Sequence, residues 1–599
     1  MDQRGLHYWF LACVAALFLG VGSAIAAPTV TFDVNSQSEE LTSDLRTASL
    51  ATAAVARGET DSSDLVSAAL ADYRRLTETL YAFGYYSGSV FIKLNGREAA
   101  SLSLLSLPAQ ITSIQILVDP GPPFRFGQTR IAPLAPGEQP PKAFAPNQPA
   151  LASVIQEASR AAVVGWREAG HAKAEQGPQR IVADHRANTL SADLTIVPGP
   201  KLRFGDLIIK GDSTVRIERI SKIADLPSGE VFSPETMSTV AKRLRRTGTF
   251  SSVSLREGDA QPDGTMDVEV TVVDRKPRRF GFGAELSSFE GVSLSAFWLH
   301  RNIFGGAERL RFDTEINQIA AQDDNGMDYL VRARLEFPAL LRSDTTFFVL
   351  GEIESLDEPT YRSDTLELGA GITWFAREGI EAEARVSFFR SNTRFALGRI
   401  NYTLIAFPTI VTWDRRDDPL NATGGTFLRA TATPYLGLSD TASGIRLSAD
   451  ARGYRSLANG RVVLAGRLQW GSILGSELFE THPDMLFLSG GGGTVRGQPY
   501  QSLGIDLAPN VTIGGRSFLG TMLEVRTNFT ESIGGVLFAD AGYIGSGSFL
   551  DGSGEWHAGA GVGLRYNTGI GPLRVDIAAP VSGDTGEGVQ IYIGIGQAF

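Results

Sequence analysis

Lysine is missing from more than half of the chain. All eight lysines lie in residues 1–280, and residues 281–599 contain none. Cysteine is scarcer still, with Cys13 the single example in 599 residues. A lone thiol excludes a disulfide framework and a cysteine-based zinc site. The six histidines are scattered, and no Gly-x-Ser-x-Gly, His-Glu-x-x-His or zinc-ligand spacing occurs. No catalytic centre, metal site or cofactor is therefore expected. No apolar run of 18 or more residues follows residue 27, which excludes a membrane protein made of helices. A membrane β-barrel stays open, because alternating strands barely raise mean hydropathy, here −0.02. Excess positive charge is lacking too. The net charge is −11, and the longest basic run is Arg275-Lys276-Pro277-Arg278-Arg279. That footprint is too small for a nucleic-acid partner.

What is present divides near residue 280. Residues 1–280 hold 20 glycines and balanced charge, while residues 281–599 hold 46 glycines and the whole net charge of −11. One homogeneous fold does not suit such a break. At the start, Arg4 precedes an apolar stretch from Leu6 to Val21, and Ala24-x-Ala26 supplies the small residues of a cleavage site. Residues 1–26 read as a signal peptide of an exported protein. Cleavage there removes Cys13.

Three echoes follow. Pro120-Gly121-Pro122-Pro123-Phe124-Arg125-Phe126-Gly127 returns as Pro198-Gly199-Pro200-Lys201-Leu202-Arg203-Phe204-Gly205 and, degenerately, as Pro277-Arg278-Arg279-Phe280-Gly281. The Arg-Phe-Gly steps fall 78 and then 76 residues apart, the mark of tandem modules. In the third module Ser233-Pro234 opens a helix with Met237, Val240, Ala241 and Leu244 on one face, Gly248 ends it, and Met266–Val272 alternate as a strand. The first module shows a helix over Val66–Leu76, and the second a helix near Leu151–Arg167 after a proline-rich loop, Pro133–Pro149. A strand–helix–helix–strand–strand unit repeated three times resembles the POTRA domain, with modules at 28–120, 121–199 and 200–278. Short mixed sheets of this kind leave edges that bind extended chains, or serve as spacers.

Beyond residue 280 the period is two. Tyr329, Val331, Ala333, Leu335 and Phe337 alternate with Leu330, Arg332, Arg334 and Glu336; Ala382, Ala384, Val386 and Phe388 alternate with Glu381, Glu383, Arg385 and Ser387. A soluble sandwich alternates as well, so length must help decide. Residues 280–599 accommodate 16 strands of about 10 residues with their connections. Acidic clusters at Asp323-Asp324 and Glu352–Glu358 suit turns. Ile591, Ile593, Ile595 and Phe599 form the apolar face of a last strand, and its aromatic close resembles the assembly signal of Gram-negative outer-membrane barrels. Gln597 departs from that pattern. The expected architecture is multidomain: three α+β POTRA modules, then a 16-stranded antiparallel transmembrane β-barrel.

The most specific residues come late. Gly490-Gly491-Gly492-Gly493-Thr494-Val495-Arg496-Gly497-Gln498-Pro499-Tyr500 resembles the Val-Arg-Gly loop of the BamA/TamA outer-membrane assembly superfamily. A P-loop is excluded, because no Gly-Lys-Ser/Thr follows. The resemblance implies that Val495, Arg496 and Gly497 fold into the lumen and that Arg496 meets inner-wall acids. A permanently charged, bidentate guanidinium needs such partners inside a barrel. Leu523-Glu524-Val525-Arg526 and Phe538-Ala539-Asp540-Ala541-Gly542 match family strands and nominate Glu524 and Asp540. Asp414-Arg415-Arg416-Asp417-Asp418-Pro419, with Gly424-Gly425, resembles the family's turn motif through Asp414, Arg416, Asp417 and Pro419; a plain charged turn is the simpler reading. Gly559-x-Gly561-x-Gly563 and Gly569–Asp576 match its last strands.

Three modules favour a TamA-like member over the five of BamA-type factors or the two of two-partner-secretion transporters. The resemblance then implies an outer-membrane location with periplasmic modules, and an assembly factor for autotransporters and other barrels. Its partners would be a TamB-like inner-membrane-anchored protein, unfolded outer-membrane clients and outer-membrane lipids. A lateral seam between Phe280–Ser287 and Gly588–Phe599, marked by Phe282, Ile595 and Phe599, would expose an edge for client strands. The alternative is a two-partner-secretion-type pore that exports one exoprotein through its lumen.

Overall fold

The computed structural model describes residues 28–599 apart from 103–106, 288–290, 321–325, 359–360, 396–397, 440, 509–510, 570 and 584–587. The signal peptide and Asp323-Asp324 lie outside the described residues. The chain divides into two compact units: residues 1–205 with 228–236 and 257–267, and residues 206–227 with 237–256 and 268–599. The division runs through the third repeat.

In the first repeat β1 (Thr29–Val34), β2 (Ser89–Leu94), β3 (Arg97–Glu98) and β4 (Ser113–Asp119) form a sheet in the order β1-β4-β2-β3, with β1 and β4 parallel. Three helices cover it, α1 (Glu39–Ala48), α2 (Leu50–Ala56) and α3 (Ser62–Ala82), one more than expected. The extra break is set by Asp72, a fully buried carboxylate on α3. It accepts from Ser49 Oγ (2.7 Å) and from the Leu50 and Ala51 N–H groups (2.7 and 3.0 Å), starting a new helix at residue 50. Leu41, Leu45, Leu65, Leu76, Ile92, Ile114 and Ile116 fill the core.

The second repeat departs in the other direction. β5 (Arg125–Ala132), β6 (Glu175–Asp184) and β7 (Thr189–Val197) pair in the order β5-β7-β6 under a single helix, α4 (Ala152–Glu168). Six prolines between 133 and 149 supply no N–H groups and fix φ, so this stretch cannot wind into the first helix of the unit. It packs as an irregular loop instead, with Phe144 edge-on to Phe126 at 5.4 Å and Pro133 O accepting from Trp166 Nε1 at 3.0 Å. The third repeat keeps the expected order: β8 (Arg203–Lys210), α5 (Ile217–Ala224), α6 (Pro234–Arg246), β9 (Phe250–Ala260) and β10 (Thr265–Asp274), in a sheet β8-β10-β9.

Beyond it the described residues close into a barrel of 16 antiparallel strands in sequence order. Strand 1 is Arg278–Ser287, strand 2 Gly291–Arg301, strand 4 Asp328–Pro338, strand 5 Thr345–Asp357 and strand 16 Gln590–Ile595. Strand 8 is broken into Gly398–Ala406 and Thr409–Asp414, and both halves pair with the neighbours on either side. Pro408 sits at the break, where it cannot donate to the ladder. Glu352–Asp357, expected in a turn, belongs to strand 5, since Glu352 alternates into the lumen and pairs with Arg332. Alternation sorts the wall. Tyr329, Val331 and Ile353 are exposed outside, while Arg334 meets Glu383 inside at 2.9 Å.

The third repeat is clamped to the wall by charge. Arg243 Nη2 lies 2.6 Å and Arg246 Nη2 3.2 Å from Asp344, in the turn between strands 4 and 5. Lys242 reaches Glu378 at 2.9 Å, and Arg219 and Lys222 donate to the carbonyls of Pro338 and Leu340. The Arg243 and Arg246 guanidiniums hold the Asp344 carboxyl below its ordinary range.

Candidate functional site

A long connection joins strand 11 (Val462–Leu474) to strand 12 (Ser517–Asn528), and its residues 486–503 fold inward. Phe487 and Leu503 pack under Phe518 and Ile544 of the wall. Within the loop Gly490 and Gly491 take φ of +118° and +87°, which turns the chain so that Gly490 N–H donates to Thr494 Oγ1 at 2.8 Å. Val495 is fully buried. Arg496 follows at the tip, 1% exposed, with Phe538 3.7 Å from its guanidinium carbon.

Arg496 is bound on three sides. Its Nε and Nη2 donate to the two Asp540 oxygens at 2.7 and 2.9 Å, and its own N–H reaches Oδ2 at 3.1 Å. Nη1 donates to Glu524 Oε1 at 2.6 Å and lies 3.6 Å from Asp576 Oδ2. The second Glu524 oxygen accepts from Arg526 Nε at 2.8 Å, and Asp576 Oδ1 accepts from Arg565 Nη1 at 2.5 Å. Three guanidiniums thus face three carboxylates, and none of the six residues is more than 7% exposed. Burying unlike charges in equal number avoids stranding any of them.

Strand parity explains who takes part. Glu524 and Arg526 share the inner face of strand 12, Asp540 that of strand 13 (Ile533–Gly545), Arg565 that of strand 14 (Glu555–Thr568) and Asp576 that of strand 15 (Gly571–Ser582). Arg526, Arg565 and Asp576 were not singled out from sequence, although their signal was there: charged residues at inward positions of strands whose other face is apolar. The Gly559-x-Gly561-x-Gly563 run thins the wall for the loop. A Cβ at Gly559 would collide with Arg496 O, and one at Gly563 with the Asp576 carboxylate. Gly497 has φ +94° and lies so close to strand 15 that a Cβ would stand 2.6 Å from Ala579 O. Its N–H donates to the Tyr592 hydroxyl of strand 16 at 3.2 Å. Gln498 donates to the carbonyls of Ala558 and Ser582 at 2.8 and 3.1 Å. Among the described residues no group of three His, Asp or Glu is arranged for a metal ion.

Asp414, at the end of strand 8, and Arg416, Asp417 and Pro419, in the turn to strand 9 (Gly425–Gly437), lie apart from this network. Asp414 takes a bidentate contact from Arg416, and Asp417 accepts from Thr423 N–H and its hydroxyl. Arg416 Nη1 donates to Pro419 O at 3.3 Å. The turn so shaped reaches the last residues of the chain. Leu420 O accepts from Gln597 N–H, and Asn421 Oδ1 from Gln597 Nε2, each at 3.0 Å.

The seam differs from its sequence expectation. Among the described residues strand 1 pairs with strand 16 at Leu286 opposite Ile593 and Ser287 opposite Tyr592, and Arg278–Glu285 pairs with strand 2 alone. Among the described residues strands 15 and 16 pair from Leu573 opposite Ile595 to Ala578 opposite Gln590. Phe282 is 86% exposed and has no partner on strand 16, while Ile595 pairs with Leu573 of strand 15. Phe599 does not line the seam. Gly596, at φ +92°, turns the chain inward, and Phe599 is buried beside Tyr454, Ala465 and Met522 with its main-chain oxygen on Arg526 Nη2 at 3.0 Å. The inward turn explains the polar residue at 597, whose Oε1 accepts from Arg565 Nε at 2.8 Å.

Residues 277–599 match the Omp85 superfamily domain, and residues 202–275 match POTRA, the surface antigen variable number repeat. Among solved structures the chain is similar to BamA from Haemophilus ducreyi lacking POTRA domains 1-3, at 15% identity and a TM-score of 0.61, covering 79% of this chain and 100% of that one. It is also similar to CdiB from Acinetobacter baumannii, at 12% identity and a TM-score of 0.49, covering 79% and 90%.

Proposed function

Because this chain belongs to the Omp85 superfamily, whose members insert or transport proteins at the outer membrane, we propose that it is a TamA-like assembly factor. The barrel lies in the outer membrane with its POTRA modules in the periplasm. On our reading, autotransporters and other unfolded barrel clients enter through the lateral seam, and the periplasmic modules engage a TamB-like inner-membrane-anchored partner.

The observation that carries the proposal is that strand 1 from Arg278 to Glu285 pairs with strand 2 and has no strand-16 partner among the described residues. An edge with a stretch of this length outside the ladder separates at less cost than a full ladder, and the main-chain N–H and C=O groups of that stretch then template an incoming strand. No covalent step or nucleotide is needed, because client pairing replaces the pairing that is lost. The loop seated by Arg496 supports a lateral route over a lumenal one, since a chain exported through the lumen must first displace it.

The test is a disulfide between Leu286→Cys and Ile593→Cys, which stand opposite each other across the seam. Client assembly by the oxidised protein should stop and return on reduction. Unchanged assembly with the bond formed would remove the seam from the mechanism.

A further inference from the structure

The run Arg275-Lys276-Pro277-Arg278-Arg279 plays no part in the seam reading, and its setting is unusual for this molecule. Many lumenal arginines face a carboxylate, as Arg309 does Glu336 at 2.6 Å and Arg311 does Asp313 at 2.5 Å. Arg275, Lys276, Arg278 and Arg279 are all exposed, and among the described residues none forms an ion pair. The backbone is nonetheless pinned. Arg275 N–H donates to Thr249 O at 2.8 Å, Arg301 N–H to Pro277 O at 2.7 Å, and Arg301 Nη1 to Lys276 O at 3.0 Å.

Strand parity places Arg278 on the outer face, two residues below Phe280 and four below Phe282, which are 63% and 86% exposed. Across the strand pair, His300 stands opposite Arg278 and Trp298 opposite Phe280, with Phe312 5.7 Å from Trp298. Aromatic rings at the edge of the hydrocarbon band, followed outward by an unpaired guanidinium and a flanking ammonium, match an acyl chain below its phosphate. We propose that Lys276 and Arg278 bind the headgroup phosphate of an anionic phospholipid in the periplasmic leaflet, at the foot of strand 1. A zwitterionic headgroup carries its own amine against the same phosphate and binds less well.

The experiment uses the full chain in nanodiscs of phosphatidylcholine with phosphatidylglycerol as the minor component. Lipid retained after transfer to detergent is read by native mass spectrometry. Each juxtamembrane cation contributes about a fivefold preference for anionic lipid, so Lys276→Gln/Arg278→Gln should lower phosphatidylglycerol retention about 25-fold. Lys276→Arg/Arg278→Lys should retain it. Arg394→Gln/Arg399→Gln removes equal charge from a facing pair at the other rim and should change nothing. Heat-modifiable gel mobility confirms that each barrel is folded. Equal losses in the two glutamine variants, or no loss in either, overturn the proposal. So does displacement of the lipid by millimolar inorganic phosphate, which would mark an anion site rather than a lipid site.

Discussion

Replacing Arg496 by methionine tests the buried network, and its effect can be worked through partner by partner. Glu524 keeps Arg526 at 2.8 Å, and Asp576 keeps Arg565 at 2.5 Å. Asp540 keeps only a backbone N–H, having lost both guanidinium bonds. The variant therefore strands one buried carboxylate, and breaking a buried pair in this way costs about 3–5 kcal/mol. Two consequences separate this account from simple loss of packing. Adding Asp540→Asn should recover most of the loss, because it removes the stranded charge. Arg526→Met should cost less, about 1–2 kcal/mol, because Glu524 retains Arg496. The assay is urea unfolding of the protein in lipid vesicles, followed by tryptophan emission and by the gel shift of the folded barrel. If Arg496→Met costs under about 1 kcal/mol, or if Asp540→Asn leaves the loss in place, charge pairing is not what seats the loop.

Other outcomes follow from neighbouring contacts. Gly559→Ala should unseat the loop by about 1–3 kcal/mol, since its Cβ meets Arg496 O, and protease cleavage between 490 and 500 should rise. Asp344 is held below its ordinary range by Arg243 and Arg246, so its contribution to the clamp is fully present above the unfolded carboxyl value of about 3.9 and is lost as pH falls through the lower folded value. Hydrogen-exchange protection of α6, taken relative to the intrinsic rate at each pH, should hold from pH 5 to 8 and fall only in stronger acid, whereas Asp344→Asn should lower it at pH 7; unchanged protection in that variant refutes the assignment. Gln597→Leu removes contacts to Asn421 and Arg565 and should weaken the inward tail by about 1–3 kcal/mol, read as faster maleimide labelling of a Phe599→Cys reporter.

Much of the architecture was legible because barrels impose strict local rules. The period of two, the break at residue 280 and the Arg-Phe-Gly repeat each leave marks within a few residues of themselves. Arg496, Glu524 and Asp540 could be nominated because their motifs resemble the superfamily's Val-Arg-Gly loop and strands, a resemblance consistent with the need of a lumenal cation for acids. What escaped depended on contacts distant in sequence. The partner sets of Arg565 and Asp576 require the register of strands 14 and 15, which no local pattern states. Phe599 reads as one more outward residue of an alternating strand until Gly596 reverses the chain. The single helix of the second repeat was hidden by assuming that the three copies share one order, although six prolines marked the exception.

The clamp between α6 and the wall also has a mechanical meaning. Arg243, Arg246 and Lys242 fasten the third repeat to turns at Asp344 and Glu378, away from the strand that begins at Arg278. A pull on α6 therefore loads the wall at strands 4 to 7 through ion pairs, while the link into strand 1 is held by main-chain hydrogen bonds of its own. If the seam opens as proposed, the edge that opens is not the edge that bears weight, and the barrel parts there without letting go of its handle.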